Sequence, residues 1–495
     1  MDYSHGVNQT PLLGTGGLIF MGLYLLSLII IGWLGRKAQK ENTLADFYLA
    51  GRGLGVFVLF LTLYATQYSG NTLVGFAGRA YRDGYDALVL ITFLSAAVGA
   101  WLFYAPKLFR LSREHHFITP IDFIEYRFNY KWLSILGAVL CIIALANYIL
   151  TNLKAIGYIV VAVTGGVVPF AIGIIVLSLI MVTYETLGGM RSVAWTDVIQ
   201  GTILLFGVII IFIIIQFEYG GLSIVSDQLM KTAPEKFFSP TWIEKRTWIS
   251  TVALGFFGIS IYPHAIQRIY SAQNEHTLKR SIQIMAFMPL VTVFFMVVVG
   301  IVGSVIIPGL DRADSEKITL LVLQDLSQRG AISGGLMVLF LSATIAAIMS
   351  TVDSALLSMS SIITKDIYSR FKPTVNQSDL TKMGKLLSWI IMAIAVYLAI
   401  ILPQTIWRLL EIKLELLIQV APAIFLGLYL KKLKSKSVFM GMVIGTLVAV
   451  SIMIANNLGM NIPAKPWGIH AGVWGLMINI GTIYFMEKLS GFKNE

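Results

Sequence analysis

Residues 53–78 read GLGVFVLFLTLYATQYSGNTLVGFAG, two apolar halves around the polar run Thr66-Gln67-Tyr68-Ser69-Gly70-Asn71-Thr72. Polar side chains at bilayer depth are costly, so such a run must face protein or water rather than lipid. Gly70 and Asn71 ease a local break in the helix. An unwound helix at membrane depth releases carbonyls for cations and side chains for a solute.

The rest of the chain supplies the membrane context. Of 495 residues, 57% are hydrophobic and 13% charged, with a mean hydropathy of +0.78. A soluble domain of this length needs more charge on its surface. Apolar stretches of about twenty residues recur, each long enough to cross a bilayer as a helix. They are continuous rather than alternating, which selects helices over a barrel. The fold class is therefore all-α, a polytopic membrane protein of about 13 transmembrane helices. The expected spans lie near 14–35, 55–78, 84–106, 133–162, 167–185, 192–216, 249–267, 282–307, 333–363, 384–403, 408–429, 437–457 and 469–487.

The net charge of +11 does not point to nucleic acid, because the basic residues are dispersed among short loops with no aromatic-interleaved basic domain. A positive-inside bias accounts for it. With the N-terminus outside and the C-terminus cytoplasmic, Arg36, Lys37, Lys40, Lys107, Arg110, Arg113 and the run Lys431, Lys432, Lys434 and Lys436 all fall inside. The expected location is the plasma (inner) membrane. Cys141 is the sole cysteine, which excludes an internal disulfide and a thiolate cluster. Residues 1–10 lack the basic start and cleavage site of a signal peptide, so the first span is expected to stay in the mature protein. No Pro- or Ser-rich linker divides the chain, and no appended soluble domain is expected. Residues 217–248 and 309–332 read as partly amphipathic outer segments, and 114–132 as an inner loop lying along the membrane surface.

A second interrupted span, TWISTVALGFFGISIYPHAIQR (247–268), carries Gly258, Ser260, Tyr262, Pro263 and His264 in its second half. Pro263 removes a backbone hydrogen bond there. Each broken span opens a five-helix set, which matches an inverted-repeat transporter with a site at the midplane. The expected organisation is an N-terminal extra helix and inner loop (1–50), a first repeat (51–217), an outer loop (218–248), a second, inverted repeat (249–430) and two C-terminal helices (431–495).

The ninth span, SATIAAIMSTVDSALLSMSSIITKDIY (342–368), places Ala347, Ser350, Thr351 and Ser354 on one helical face. Neutral hydroxyl and carbonyl oxygens suit a small hard cation. The same face also reads as a packing stripe, since small residues let helices approach closely. Asp197 and Asp353 are ionisable groups at or near membrane depth.

Four stretches resemble the sodium:solute symporter family of proline, pantothenate, sugar, sialic acid and monocarboxylate carriers. They are GRGLG…ATQYSGNTLVGFAG (51–78), TPIDFIEYRF (119–128), TLGGMRSVAWTDVIQ (186–200) and MSTVDSALLSMSSIITKDIY (349–368), with a weaker echo in QVAPAIFLGLY (419–429). The resemblance implies a leucine-transporter-type five-plus-five inverted repeat with one helix before it and two after. It implies sodium as the coupling ion, held by backbone oxygens of Ala65, Tyr68 and Ala347 and by the side chains of Ser350 and Thr351. Some members hold a second sodium, and Asp197, Asp353 and Ser354 fall at that position. Asp197 is alternatively a structural or gating carboxylate. Proline carriers place an aspartate where this chain has Gln67, a departure that weakens a proline reading. The Tyr262-Pro263-His264 stretch resembles pantothenate and monocarboxylate carriers more than sugar carriers.

The expected function is sodium-coupled symport of a small organic solute by alternating access, with an organic anion or zwitterion such as a monocarboxylate or pantothenate favoured. Proline, another amino acid or a sugar is the alternative. Gln67, Ser69, Thr72, Ser260, Tyr262 and His264 are the candidate solute contacts, His264 reading more readily as a helix-packing or hydrogen-bonded residue than as a ligand. A membrane enzyme would need a reactive cluster near the interface, and His115-His116 lacks a spaced partner set. A solute sensor on the same scaffold and a sodium channel are the other competing classes. The partners expected are the solute and the bilayer, with no nucleic acid.

Overall fold

The computed structural model describes residues 12–237, 240–402 and 406–491. Among them every regular element is helical, and the sole extended pairing is an isolated backbone bridge between Leu54 and Ala272. Among the described residues nine helices are long and apolar enough to cross a bilayer, and a bent pair makes a tenth. Some of these hold more than one crossing. Phe170–Glu218 runs for 49 residues, about 74 Å at the rise of an α-helix and more than twice the hydrocarbon thickness. It divides at Gly189 (φ 58°, ψ −145°), so the fifth and sixth expected spans join through a glycine turn. A Cβ at Gly189 would lie 2.4 Å from the Phe47 carbonyl oxygen. Arg191, just past the turn, pairs with Asp46 at 2.8 Å and locks it to the short helix Leu44–Leu49.

The distribution of side chains is that of a protein dissolved in lipid. Ile19, Leu23, Leu26 and Ile30 on Thr15–Lys37 are exposed, as are Ile390, Ile394, Tyr397 and Ile401 on Gln377–Ile401. The polar residues of the ninth span, Ser350, Thr351, Asp353, Ser354 and Ser358, are buried instead. Helix association in lipid relies on close packing and interhelical hydrogen bonds, which is what this polarity serves.

Both interrupted spans are broken. In the first, Val56–Gln67 ends at Tyr68 (φ −97°, ψ 89°), and the chain resumes through a π-helical turn, Asn71–Gly75, into Phe76–Asp83. The break therefore sits at Tyr68-Ser69, before the residues whose flexibility was expected to place it. Gly70 serves a different purpose: a Cβ there would meet Ile348 Cγ1 at 2.4 Å, so its bareness lets the break press against the ninth span. In the second, a π turn (Leu254–Gly258) and a 3-10 turn (Ile259–Ile261) lead to Tyr262 (ψ 130°), and Pro263 opens the next helix. The two halves meet at 52°. Proline at the first helical position lacks only a donor that would be unpaired anyway.

The segment expected as an inner surface loop contains a helix that packs one face on the protein. Pro120–Phe128 buries Ile121, Phe123 and Ile124 in the protein. Asp122 Oδ2 accepts the Ile118 and Thr119 backbone N–H groups at 2.6 and 3.0 Å, which starts the helix. It joins a seam at one end of the molecule, where the Arg113 Nη2 donates to the carbonyls of Arg52, Ala272 and Gln273 at 2.6–3.0 Å. At the other end, the Tyr81 hydroxyl donates to Ile307 O at 2.8 Å and the Thr319 hydroxyl to Leu73 O at 2.7 Å. The middle of both broken spans lies enclosed between these two seams.

A candidate ion and solute site at the two breaks

The last regular bond of the first half-helix runs from Tyr68 N–H to Tyr64 O at 3.0 Å, and Thr72 and Leu73 N–H both then turn to Ser69 O. The carbonyls of the intervening residues are thereby released from the helical ladder. The ninth span, Gly334–Ser361, supplies the facing surface. Thr351 Oγ1 lies 3.4 Å from Thr66 O and 2.9 Å from Ala347 O. Ser350 Oγ is buried beside the Asp197 carboxylate. Ala65, Tyr68, Ala347, Ser350 and Thr351 are all inaccessible to solvent. These are neutral oxygens close to a helix break, a chemistry that fits a small hard cation. The contact seen at the break belongs to the Thr66 carbonyl, which the sequence did not single out.

Asp197 and Ser354 also come together, but around a guanidinium. Arg268 Nη2 lies 3.0 Å from Asp197 Oδ2, with both side chains fully buried. Its Nε donates to Thr62 Oγ1 at 2.9 Å and its Nη1 to His264 O at 3.2 Å, and Nη2 also reaches Ser354 Oγ. Thr62 in turn donates to Asp197. Asp353 takes a different partner: it accepts from the Tyr184 hydroxyl. The three residues expected to share a second ion thus do not form one cage here. Arg268 supplies the positive charge that Asp197 requires, because a buried carboxylate is tolerated only when paired.

The solute candidates divide in the same way. Gln67, Ser69 and Thr72 line the first break and are buried, and Tyr262 and His264 sit at the second. Tyr148, from Lys131–Thr164, stacks on both Tyr262 and His264, with ring centroids 5.3 and 5.5 Å away. Its hydroxyl lies 3.5 Å from Thr66 O, so this one side chain spans from the second break to the first. Ser260 does not join them. Its hydroxyl returns to Phe256 O at 2.5 Å, and its carbonyl accepts from Trp101 Nε1 and the Tyr104 hydroxyl, so it fastens the second break to Val89–Glu114. His264 makes no side-chain hydrogen bond among the described residues.

Sequence reasoning missed Arg268, Tyr148 and Lys413. Arg268 closes the quoted stretch 247–268 but stands one residue past the expected span 249–267, so its place in the core was not read. Lys413 lies inside the expected span 408–429, and a charged residue within an apolar span is itself a signal of function.

The fold agrees with that of known proteins. A structure of a Na+-coupled sialic acid symporter, in a substrate-bound outward-open state, superposes with a TM-score of 0.78 over 96% of this chain and 98% of that one, at 20% identity. The transporter Mhp1 of the nucleobase-cation-symport-1 family, in a closed conformation, matches at 0.54 over 90% and 95%, at 14% identity. The architecture is thus the leucine-transporter type. In sequence, the osmoregulated proline transporter OpuE of Bacillus subtilis is 28% identical over 94% of this chain and 92% of its own length. The sodium/pantothenate symporter of Haemophilus influenzae is 28% identical over 83% and 84%. The model of the sodium:solute symporter family matches residues 47–445. A broken helix facing a hydroxyl-rich partner, in this fold and with this match across most of its length, makes the chain a member of the sodium:solute symporter family.

Proposed function

We propose that this protein carries a small organic solute across the plasma membrane together with sodium, by alternating access. The observation that carries the proposal is the Thr351 hydroxyl set against the Thr66 carbonyl at the first break. In this reading the principal sodium is held by the backbone oxygens of Ala65, Tyr68 and Ala347 and by Ser350 and Thr351, with Thr66 O in the same cage. Binding ties the broken span to the ninth span. A ligand shifts a conformational equilibrium only by its difference in affinity for the two states, so the ion must lose contacts when these helices part. The two five-helix units, 51–217 and 249–430, move against one another, with the N-terminus outside and the C-terminus cytoplasmic. The solute sits between Gln67, Ser69, Thr72, Tyr262 and His264.

The relatives include proline and pantothenate carriers, and the solute here is read as an organic anion or zwitterion. The deciding experiment is uptake into proteoliposomes by wild type and by the Ser350→Ala/Thr351→Ala double variant, across a range of sodium. A rise of tenfold or more in the sodium needed for half-activation is expected. Unchanged sodium activation in the double variant overturns the assignment, and binding of solute without accumulation would make the protein a sensor instead.

A further inference from the structure

A lysine ammonium lies buried beside the solute position with no acidic partner among the described side chains around it. Lys413, on Ile406–Leu417, is fully buried, and its Nζ makes no hydrogen bond among the described residues. It sits 3.2 Å above the centroid of the Tyr148 ring and 5.4 Å from that of Tyr262. The third ring of the group, His264, is 4.9 Å from Tyr262 and leaves both its nitrogens without a hydrogen bond. Aromatic faces attract a cation but do not replace the hydration it gives up on burial. A buried ammonium calls for an anion. The side chains that form this cage, Tyr148, Tyr262 and His264, carry none.

We propose that Lys413 is the residue that binds the carboxylate of the transported solute, and that the solute is a small monocarboxylate anion rather than a zwitterion or a sugar. An ammonium point charge with three donors suits a single carboxylate group. His264 offers a further polar contact beside it. A zwitterion would bring an amine as well, and Gln67 stands uncharged at the first break where a carboxylate could have received it. The inference deepens the symport reading by naming its solute class.

The position of Lys413 also explains why solute and ion would travel together. The ring beneath its Nζ is that of Tyr148, whose hydroxyl meets the same Thr66 carbonyl that Thr351 approaches. With no anion bound, the ammonium repels a sodium ion at the first break. A carboxylate between them cancels that repulsion, so each ligand strengthens the binding of the other, as linkage requires.

The test uses full-length purified protein and two substitutions, Lys413→Met and Lys413→Arg. Sodium binding is followed by thermal stabilisation without solute, then with acetate, lactate, pantothenate, proline or glucose. In wild type, at least one of the three carboxylates should lower the sodium midpoint several-fold, and proline and glucose should not. In Lys413→Met the sodium midpoint without solute should fall below that of wild type, and the effect of the carboxylate should vanish. Lys413→Arg should restore part of it. A Lys413→Met protein that still answers to the carboxylate overturns the proposal, as does a wild type that answers to glucose or proline alone. A loss of sodium response in wild type would instead sink the symport reading. Retained sodium stabilisation in Lys413→Met shows that the variant is folded.

Discussion

The Arg268–Asp197 pair offers a quantitative test of how this core is held together. Both side chains are fully buried, and the guanidinium makes further bonds to Thr62, Ser354 and the His264 carbonyl. At a charge separation of about 4 Å and an effective dielectric constant near 20, the Coulomb term is about 4 kcal/mol. Removing one partner leaves the other charge buried alone, which costs about 3–5 kcal/mol. Asp197→Asn and Arg268→Gln should each destabilise by about that amount. The double variant has no stranded charge, so it should cost about the same as one single change, giving a coupling as large as that change, about 3–5 kcal/mol. The assay is reversible unfolding of the purified protein in mixed micelles, with all four members of the cycle measured under one condition. An apolar pair, Asp197→Leu with Arg268→Met, should lie within about 1–2 kcal/mol of wild type, since buried ion pairs rarely outperform well-packed apolar replacements. Single changes that simply add in the double variant would show that the two charges do not interact, and the account of Arg268 as the counter-charge of Asp197 would fail.

Other consequences can be measured directly. Because Arg268 already neutralises Asp197, transport should move one sodium per solute, and a reversal potential that demands two would refute that use of Asp197. Gly70→Ala should reduce uptake at least tenfold by pushing the break from Ile348, and Ile348→Ala in the same chain should recover much of it; a Gly70→Ala protein with normal uptake would deny the close contact. Gly189→Ala combines a backbone region that is nearly exclusive to glycine with a clash against Phe47 O. It should cost at least about 3 kcal/mol and be visible as loss of folded protein on size-exclusion chromatography. Arg113→Ala removes three bonds across the seam between Arg52, Ala272 and Gln273. A cysteine placed at Ser271, in a background with Cys141 replaced, should then be alkylated faster from one side of the membrane, and an unchanged rate would show that the seam is held elsewhere.

Much of the fold was legible because lipid imposes a simple rule. A polar run such as Thr66–Thr72 within an apolar span has to be enclosed by protein, and Pro263 cannot continue the helix that precedes it. Both breaks follow from those facts. What composition could not show was where the backbone departs from helical geometry, since Gly70 was credited with freedom of rotation while the structure uses its lack of a Cβ. Tight turns were hidden for a related reason. Gly188-Gly189 joins two spans with so little loop that the boundary is a single residue's dihedral angles.

Side-chain partners were less legible than backbone breaks, and the reason is geometric. Helical spacing correctly groups Ser350, Thr351 and Ser354, but it says nothing about what each finds across the interface. Ser260 lies on an interrupted span beside Tyr262, yet its hydroxyl bonds within its own helix and its carbonyl fastens the break to Trp101 and Tyr104. Asp353 and Ser354 are adjacent in sequence, and the turn of the helix sends one to Tyr184 and the other to Arg268. Two fully buried cations, Arg268 and Lys413, carry the sharper lesson. Each belongs to an apolar stretch, where an uncompensated charge is disfavoured by several kcal/mol, about 3 on insertion scales. A cation retained at that cost needs a counter-charge: Arg268 finds Asp197 within the protein, and Lys413, among the described residues, meets aromatic rings. On the reading proposed for Lys413, that difference separates a structural charge from one reserved for a ligand, and it becomes visible only when the helices are assembled.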